Sequence, residues 1–186
     1  MIRHLLLTGL PGVGKTTLIK QLADSLAAYH PDGFFTQEIR DDKGARKGFE
    51  LITLDDRRQL LAHVNLPGPF RVGRYGVDLA GFEQLLETID LRHSPSRMVI
   101  LDEIGKMECL SQRFIQEVEA LLDSSKMVIA TVALKGGGFP AKVKNRPDCR
   151  VVTVSLNNRS NLAATLLPEI ATILSSHKEG PHAASS

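Results

Sequence analysis

Apolar residues along the chain fall into two patterns, short continuous runs and stretches with helical spacing. Continuous runs at residues 5–7, 98–101 and 127–134 are typical of strands buried inside a sheet. Helical spacing marks four further stretches, at residues 18–26, 82–89, 114–122 and 161–174. Because the two patterns alternate, the sequence predicts an α/β protein with a largely parallel sheet flanked by helices.

One part of the chain departs from this plan. Residues 34–39 and 47–54 both have strand character, and the charged stretch at residues 41–44 between them is typical of a turn. We expect an antiparallel hairpin inserted into the parallel sheet. Further short strands are predicted at residues 59–64 and 151–154.

Composition limits the class of protein without defining it. The chain has 186 residues, of which 42% are hydrophobic and 24% charged, with a net charge of +2. This near-balance gives no steering toward nucleic acid or anionic membranes, and no apolar run approaches the length of a membrane span. We expect a cytoplasmic monomer with no membrane or nucleic-acid partner. Residues 1–176 are expected to form a single domain, and residues 177–186 a flexible tail.

A phosphate-binding motif follows the first apolar run. Residues 9–16 read G-L-P-G-V-G-K-T, a complete G-x-x-x-x-G-K-[ST] loop between a predicted strand and a predicted helix. The loop's backbone N–H groups and the helix N-terminus favour phosphate groups. We expect Lys15 to reach the β- and γ-phosphates and Thr16 to coordinate Mg²⁺. The predicted nucleotide-binding residues are Gly9, Leu10, Pro11, Gly12, Val13, Gly14, Lys15 and Thr16.

Two acids end the apolar run at residues 98–101. Asp102 and Glu103 match the Walker B pattern, in which a strand-end acid helps to hold Mg²⁺ together with the loop threonine. A second acid beside it can deprotonate an attacking water, so Glu103 is the candidate general base. The alternative is a buried strand that simply ends in two solvated acids, which becomes less favoured once a complete phosphate loop is present.

The Asp-Glu pair also predicts topology. P-loop proteins with this arrangement generally place one strand between the loop strand and the acid strand, and residues 127–132 are the candidate for it. Thr131 lies near the end of that strand and is a candidate sensor of the γ-phosphate or the attacking water. The alternative is a β-branched residue that serves strand packing.

Phosphoryl transfer also needs a cation that offsets charge in the transition state. Lys106 is favoured beside Lys15, because it lies three residues after Glu103. Arg146, in a basic stretch, and Arg74 are further candidates for action within the same chain. For each of these side chains the alternative is a solvated surface charge.

Several segments together resemble one known family, the small P-loop nucleoside triphosphatases first noted in thermophiles. The most selective is L-D-E-I-G-K-M-E at residues 101–108, and the others are residues 9–17, 33–40, 48–49, 72–77, 130–132 and 158–159. The resemblance spans residues 3–175 and extends the expected nucleotide-binding segment to Thr17. This sequence departs from the family at Arg74, a position where lysine is common. The difference bears on any role given to Arg74.

This resemblance implies a RecA-like fold and Mg²⁺-dependent hydrolysis of ATP, GTP and other nucleoside triphosphates to diphosphate and phosphate. One alternative is a P-loop kinase that transfers the γ-phosphate to a small-molecule or nucleic-acid acceptor. Such an enzyme needs an acceptor pocket and a lid that excludes water. Another alternative is a nucleotide-dependent switch, although the chain has no Asn-Lys-x-Asp motif for reading guanine.

Overall fold

A nine-stranded mixed sheet organises the chain in the computed structural model, which describes residues 1–176. The strands are β1 (His4–Thr8), β2 (Asp32–Arg40), β3 (Arg46–Thr53), β4 (Arg58–His63), β5 (Arg71–Val72), β6 (Tyr75–Val77), β7 (Met98–Ile104), β8 (Met127–Val132) and β9 (Cys149–Thr153). The helices are α1 (Lys15–Ser25), α2 (Leu79–Ile89), α3 (Gln112–Asp123), α4 (Gly138–Lys144) and α5 (Leu162–Ser176).

Strand order brings the ends of distant segments together. The order is β5-β6-β4-β3-β2-β7-β8-β1-β9, and the five strands from β2 to β9 in this order pair in parallel. The register places Leu7 beside Thr131 and Leu101 beside Ala130. The carboxyl ends of β1, β7 and β8 therefore meet at one edge, where ligands bind in open α/β sheets.

Helices cover both faces of the sheet. One apolar core lies under α2 and α3 and contains Phe82 and Phe114, while the other lies under α1 and α5 and contains Leu22 and Ile170. All residues of β1 and β8 are buried, because both faces of these central strands are covered. This burial on both faces explains why these strands are continuous apolar runs in the sequence.

The structure confirms the α/β class, the antiparallel β2–β3 hairpin, and the placement of β8 between β1 and β7. The prediction for the last strand was wrong in extent, since β9 begins at Cys149, and β5, β6 and α4 were not predicted. These three elements have two, three and seven residues, too few to display a clear period. The expected flexible tail lies outside the described residues. Within residues 1–176, no helix is long and apolar enough to cross a bilayer.

His4 connects the start of β1 to its surroundings through a fully buried ring. The Val128 N–H donates to His4 Nδ1 at 3.2 Å, so the ring proton lies on Nε2, which contacts the Leu122 carbonyl at 3.0 Å. In a doubly protonated ring, the Nδ1–H of His4 would point at the backbone N–H of Val128. Burial lowers the pKa of His4 from 6.5 to about 4, against the opposing effect of Asp148.

We expect His4 to make stability depend on pH. Because the folded pKa lies below the unfolded one, the unfolded chain binds the proton more tightly, and stability present above pH 6.5 is lost as the pH falls toward 4. The loss attributable to this ring reaches about 3 kcal/mol. Urea unfolding of wild type and of His4→Gln at several pH values measures it. His30→Asn, a change at an exposed histidine, should leave the pH slope intact, and an unaltered slope in His4→Gln would contradict the assignment.

Candidate active site

The phosphate-binding loop runs from the end of β1 to the start of α1 and is packed tightly at its first residue. A Cβ on Gly9 would lie 2.5 Å from the Val154 carbonyl oxygen, and the residue has a φ of +157°. Only glycine fits this close approach. The loop is thereby fixed against the segment that follows β9.

The N-terminus of α1 faces this loop without a side-chain cap. Gly14 is its N-cap residue, and the first turn contains no acid. Its backbone N–H groups and the positive end of the helix dipole are available to an anion. The Lys15 ammonium folds back over the loop and donates to the carbonyl oxygens of Gly9 and Leu10 at 3.2 and 3.3 Å. The loop therefore holds a cation where phosphate groups are expected.

Asp102 lies near the end of β7, with only 2% of its surface exposed. Its Oδ1 accepts a hydrogen bond from the Thr131 hydroxyl at 2.6 Å, and its Oδ2 accepts one from the Thr36 backbone N–H at 3.5 Å. Burial raises the pKa of Asp102, while the hydroxyl groups of Thr131 and Thr16 and the charge of Lys15 oppose the rise. The predicted pair of Thr16 and Asp102 thus lies in the wall of one cleft.

Glu103 follows at the same edge and lines the same cleft as Lys15. Burial raises the pKa of Glu103, Lys15 opposes this rise, and Asp102 adds to it. A carboxylate held in this environment is a stronger base than one in water, and its ionised form is favoured by the neighbouring ammonium. This is the electrostatic setting expected of a general base.

The donor set of Thr16 and Asp102 fits Mg²⁺. Both side chains offer oxygen, the ligand that Mg²⁺ prefers. Within residues 1–176, no group of three or more His, Cys, Asp or Glu side chains could hold a metal on its own. Mg²⁺ commonly uses one or two protein ligands and takes the rest from phosphates and water, so two ligands are sufficient here.

The hairpin supplies the opposite wall of the cleft, which the sequence analysis did not assign to the site. The cleft has a volume of about 450 Å³, and its walls are residues of the loop and α1, the two acids, and five hairpin residues: Thr36, Gln37, Glu38, Arg46 and Phe49. Lys20 of α1 also lines it and lies 5.4 Å from the Phe35 ring centre. The strand pattern predicts the hairpin but not which of its side chains face the loop.

Thr131 lies beside the acids but does not line the cleft. Its side chain is fully buried, and its one hydroxyl proton is donated to Asp102. Direct donation to a γ-phosphate would require this bond to break. The structure therefore places Thr131 where it orients Asp102, and the sensor role stays a prediction.

The three cations predicted from sequence lie at different places. Lys106 is exposed and lines a second cavity next to the cleft. Arg74 donates to the backbone carbonyl of Arg46 and to the Tyr75 hydroxyl, and Arg146 pairs with Asp148 and Asp123. Neither arginine is among the residues that line the cleft.

The second cavity shares part of its wall with the cleft and has a volume of about 270 Å³. Glu103, Thr36 and Phe49 line both cavities. Glu108 is 5% exposed and also borders the second cavity, and burial, followed by the charge of Glu103, raises its pKa to about 8. A Cβ on Gly105 would lie 2.9 Å from Glu108 Oε2 and 3.0 Å from Glu103 Oε1, so the two carboxyl groups approach each other across this glycine.

A phosphate-binding loop on a parallel sheet, beside two strand-end acids, defines a P-loop nucleotide-binding protein. The sequence matches a protein-family model described as NTPase over residues 4–167. It is 43% identical over 171 residues to the nucleoside-triphosphatase THEP1 of Thermotoga sp. (strain RQ2), covering 91% of this chain and 94% of that protein. The chain belongs to this NTPase family.

Two further comparisons, one of sequence and one of structure, support this membership. The cancer-related nucleoside-triphosphatase of Homo sapiens is 40% identical over 195 residues, covering 96% of this chain and all of that protein (100%). The crystal structure of THEP1 from the hyperthermophile Aquifex aeolicus superposes with a TM-score of 0.81 at 30% identity, covering 90% of this chain and 98% of that one. Both the resemblance inferred from the sequence and the fold are thereby confirmed.

We predict that Gly105→Ala displaces the Glu103 carboxylate, because the new methyl group would lie within 3.0 Å of Oε1. Phosphate release from a bound triphosphate should fall about tenfold or more, since small displacements of a reacting group are costly. Nucleotide affinity should change little. Gly137→Ala is the control, because nothing lies within 4 Å of its added Cβ. Equal rates of phosphate release in the two variants would show that a methyl group beside the Glu103 carboxylate does not affect turnover.

Proposed function

We propose that the protein is a Mg²⁺-dependent nucleoside triphosphatase that cleaves the bond between the β- and γ-phosphates. The observation that carries the proposal is the meeting of Lys15 and Thr16 with Asp102 and Glu103 in one cleft. The relatives' names specify nucleoside triphosphates without a particular base. ATP, GTP and other nucleotides are accordingly the proposed substrates.

Binding is assigned to the loop. Its backbone N–H groups and the N-terminus of α1 receive the phosphates, and the Lys15 ammonium exchanges the carbonyl oxygens of Gly9 and Leu10 for phosphate oxygens. Thr16 and Asp102 would hold Mg²⁺, and the ion would supply positive charge that offsets the charge of the phosphates. Thr131 keeps the Asp102 carboxylate oriented through its hydrogen bond.

The chemical step is assigned to Glu103. Its carboxylate accepts a proton from water as the water oxygen forms a bond to the γ-phosphorus. The bond from that phosphorus to the bridging oxygen breaks, and the nucleoside diphosphate leaves with the electron pair. Lys15 stabilises the negative charge that develops on the departing nucleoside diphosphate. Partial burial of Glu103 keeps bulk water from competing for this carboxylate.

Replacement of Glu103 by Gln removes the base and keeps the shape of the side chain. Phosphate release should fall about 10²- to 10⁴-fold, while the affinity for ATP is retained. A continuous phosphate assay and a fluorescent-nucleotide titration measure the two quantities. Glu87→Gln changes an exposed acid on α2 that pairs with Arg113 and is expected to behave as wild type. Near wild-type turnover in Glu103→Gln would remove Glu103 from the mechanism.

Transfer of the γ-phosphate to a small-molecule acceptor is the second candidate function, and the second cavity favours it. The described lining of that cavity includes Glu103 but no residue of the loop, and its walls are largely apolar, with Leu61, Val72 and Met107 among them. A hydroxyl group held there would meet the same base that activates water. Its oxygen would replace water as the attacking atom, and its proton would pass to Glu103.

The kinase candidate predicts a phosphorylated product when radiolabelled ATP is mixed with a panel of glycerol, ribose and the common nucleosides. Val72→Phe narrows the second cavity and should lower the ratio of transfer to hydrolysis at least tenfold. Val151→Phe alters an exposed valine on β9 and should leave the ratio unchanged. If label appears only in inorganic phosphate, the hydrolase assignment stands alone.

A further inference from the structure

Hydrolysis of a phosphoanhydride builds negative charge around the γ-phosphate, and a positioned arginine can stabilise that charge strongly. Arg46 is the one arginine among the described residues that line the cleft. It is the first residue of β3, on the hairpin. Because the hairpin pairs with β7 through β2, it lies on the side of the cleft that carries the two acids.

Arg46 is incompletely paired in this structure. One of its terminal nitrogens forms an ion pair with Glu38. Its Nε is buried and has no hydrogen-bond partner within residues 1–176. Its guanidinium carbon lies 5.5 Å from the centre of the Phe49 ring. A buried donor without an acceptor is unfavourable, and an arriving oxygen anion would satisfy it.

Release of Arg46 from Glu38 would leave that acid paired. Glu38 also binds Arg40, so its carboxylate keeps a cationic partner after Arg46 departs. The register places Arg40 directly opposite Arg46 on neighbouring strands, and both bind the one Glu38 carboxylate. Movement of the Arg46 side chain toward phosphate would leave Arg40 as the partner of that carboxylate. The exchange of Glu38 for phosphate therefore leaves no unpaired acid behind.

The backbone of Arg46 is held while its side chain remains free to exchange partners. Arg74 donates a hydrogen bond to the Arg46 carbonyl oxygen and packs against the Tyr75 ring at 5.1 Å. Tyr75 in turn contacts Phe49, with 5.2 Å between ring centres. Arg74, a cation candidate in the sequence analysis, thus supports the segment that carries Arg46.

We propose that Arg46 is the arginine that binds the γ-phosphate in the transition state. Until a triphosphate enters the cleft, Glu38 keeps Arg46 in an ion pair. The inference rests on the proposed hydrolysis and adds a catalytic residue to it. The guanidinium group of Arg46 presents a planar fork of N–H donors that matches the oxygens of a phosphoryl group, whereas a lysine ammonium does not.

The test compares kcat, the affinity for ATP, and the affinity for ADP with aluminium fluoride, a mimic of the transition state. Arg46→Ala should lower kcat at least 10²-fold and weaken the mimic by a similar factor, with ATP affinity changed less than about fivefold. Added guanidinium ion should restore part of the lost rate. Arg46→Lys keeps the charge and most of the stem, and it should still lose at least tenfold.

Glu38→Gln separates the catalytic role from a structural one. If Glu38 only restrains Arg46, its loss should raise kcat, because Arg46 is then available to the phosphate without leaving an ion pair. Arg58→Ala breaks an arginine–glutamate pair with Glu50 on the same sheet, outside the cleft, and should leave kcat within about threefold of wild type. Thermal unfolding checks that each variant is folded.

Two results would overturn the proposal. One is a kcat within threefold of wild type in both Arg46 variants. The other is a loss in Glu38→Gln as large as in Arg46→Ala, because the pair would then act as one structural unit. Failure of the proposed function is distinguishable: wild type itself would then release no phosphate above the rate of Glu103→Gln.

Discussion

The buried carboxylate of Asp102 is the constraint on which the site depends. An acid with 2% of its surface exposed must be satisfied by hydrogen bonds, and Thr131 of β8 and Thr36 of β2 donate to its carboxylate, while Thr16 of α1 lines the same cleft. Parallel pairing of β1, β8, β7 and β2 is what places those segments within reach. The phosphate loop and the acids therefore form one unit, because the sheet that carries them also satisfies their buried polar groups.

The antiparallel hairpin adds the wall of a cleft that lies opposite the loop. It continues the sheet beyond β7 and presents Thr36, Arg46 and Phe49 toward the loop. Thr36 also ties the hairpin to Asp102, since its hydroxyl donates to the Asp102 carbonyl oxygen. A change at the hairpin is thus coupled to the acid that is proposed to bind Mg²⁺. Structural support and chemistry share the same few contacts.

Sequence reasoning predicted the parts of the candidate site that are contiguous in the chain. The loop at residues 9–16 and the pair of Asp102 and Glu103 are short motifs whose spacing predicts the chemistry, and the structure brings them to one cleft. The place of Arg46 in that cleft could not be predicted in this way, because it depends on the register of β2 with β3 and on the irregularity between Ile39 and Arg40. Arg146 lies in a basic stretch of the sequence, but it pairs with Asp148, two residues away, and with Asp123, which becomes its neighbour only in the folded chain.

We propose that a triphosphate held by the loop has its terminal phosphate between Lys15 and Glu103. The decisive measurement is a crystal structure with Mg²⁺ and a non-hydrolysable ATP analogue. We predict Mg²⁺ on Thr16 and Asp102, and the Glu103 carboxylate next to the γ-phosphate. A structure in which both acids point away from the phosphates would contradict it.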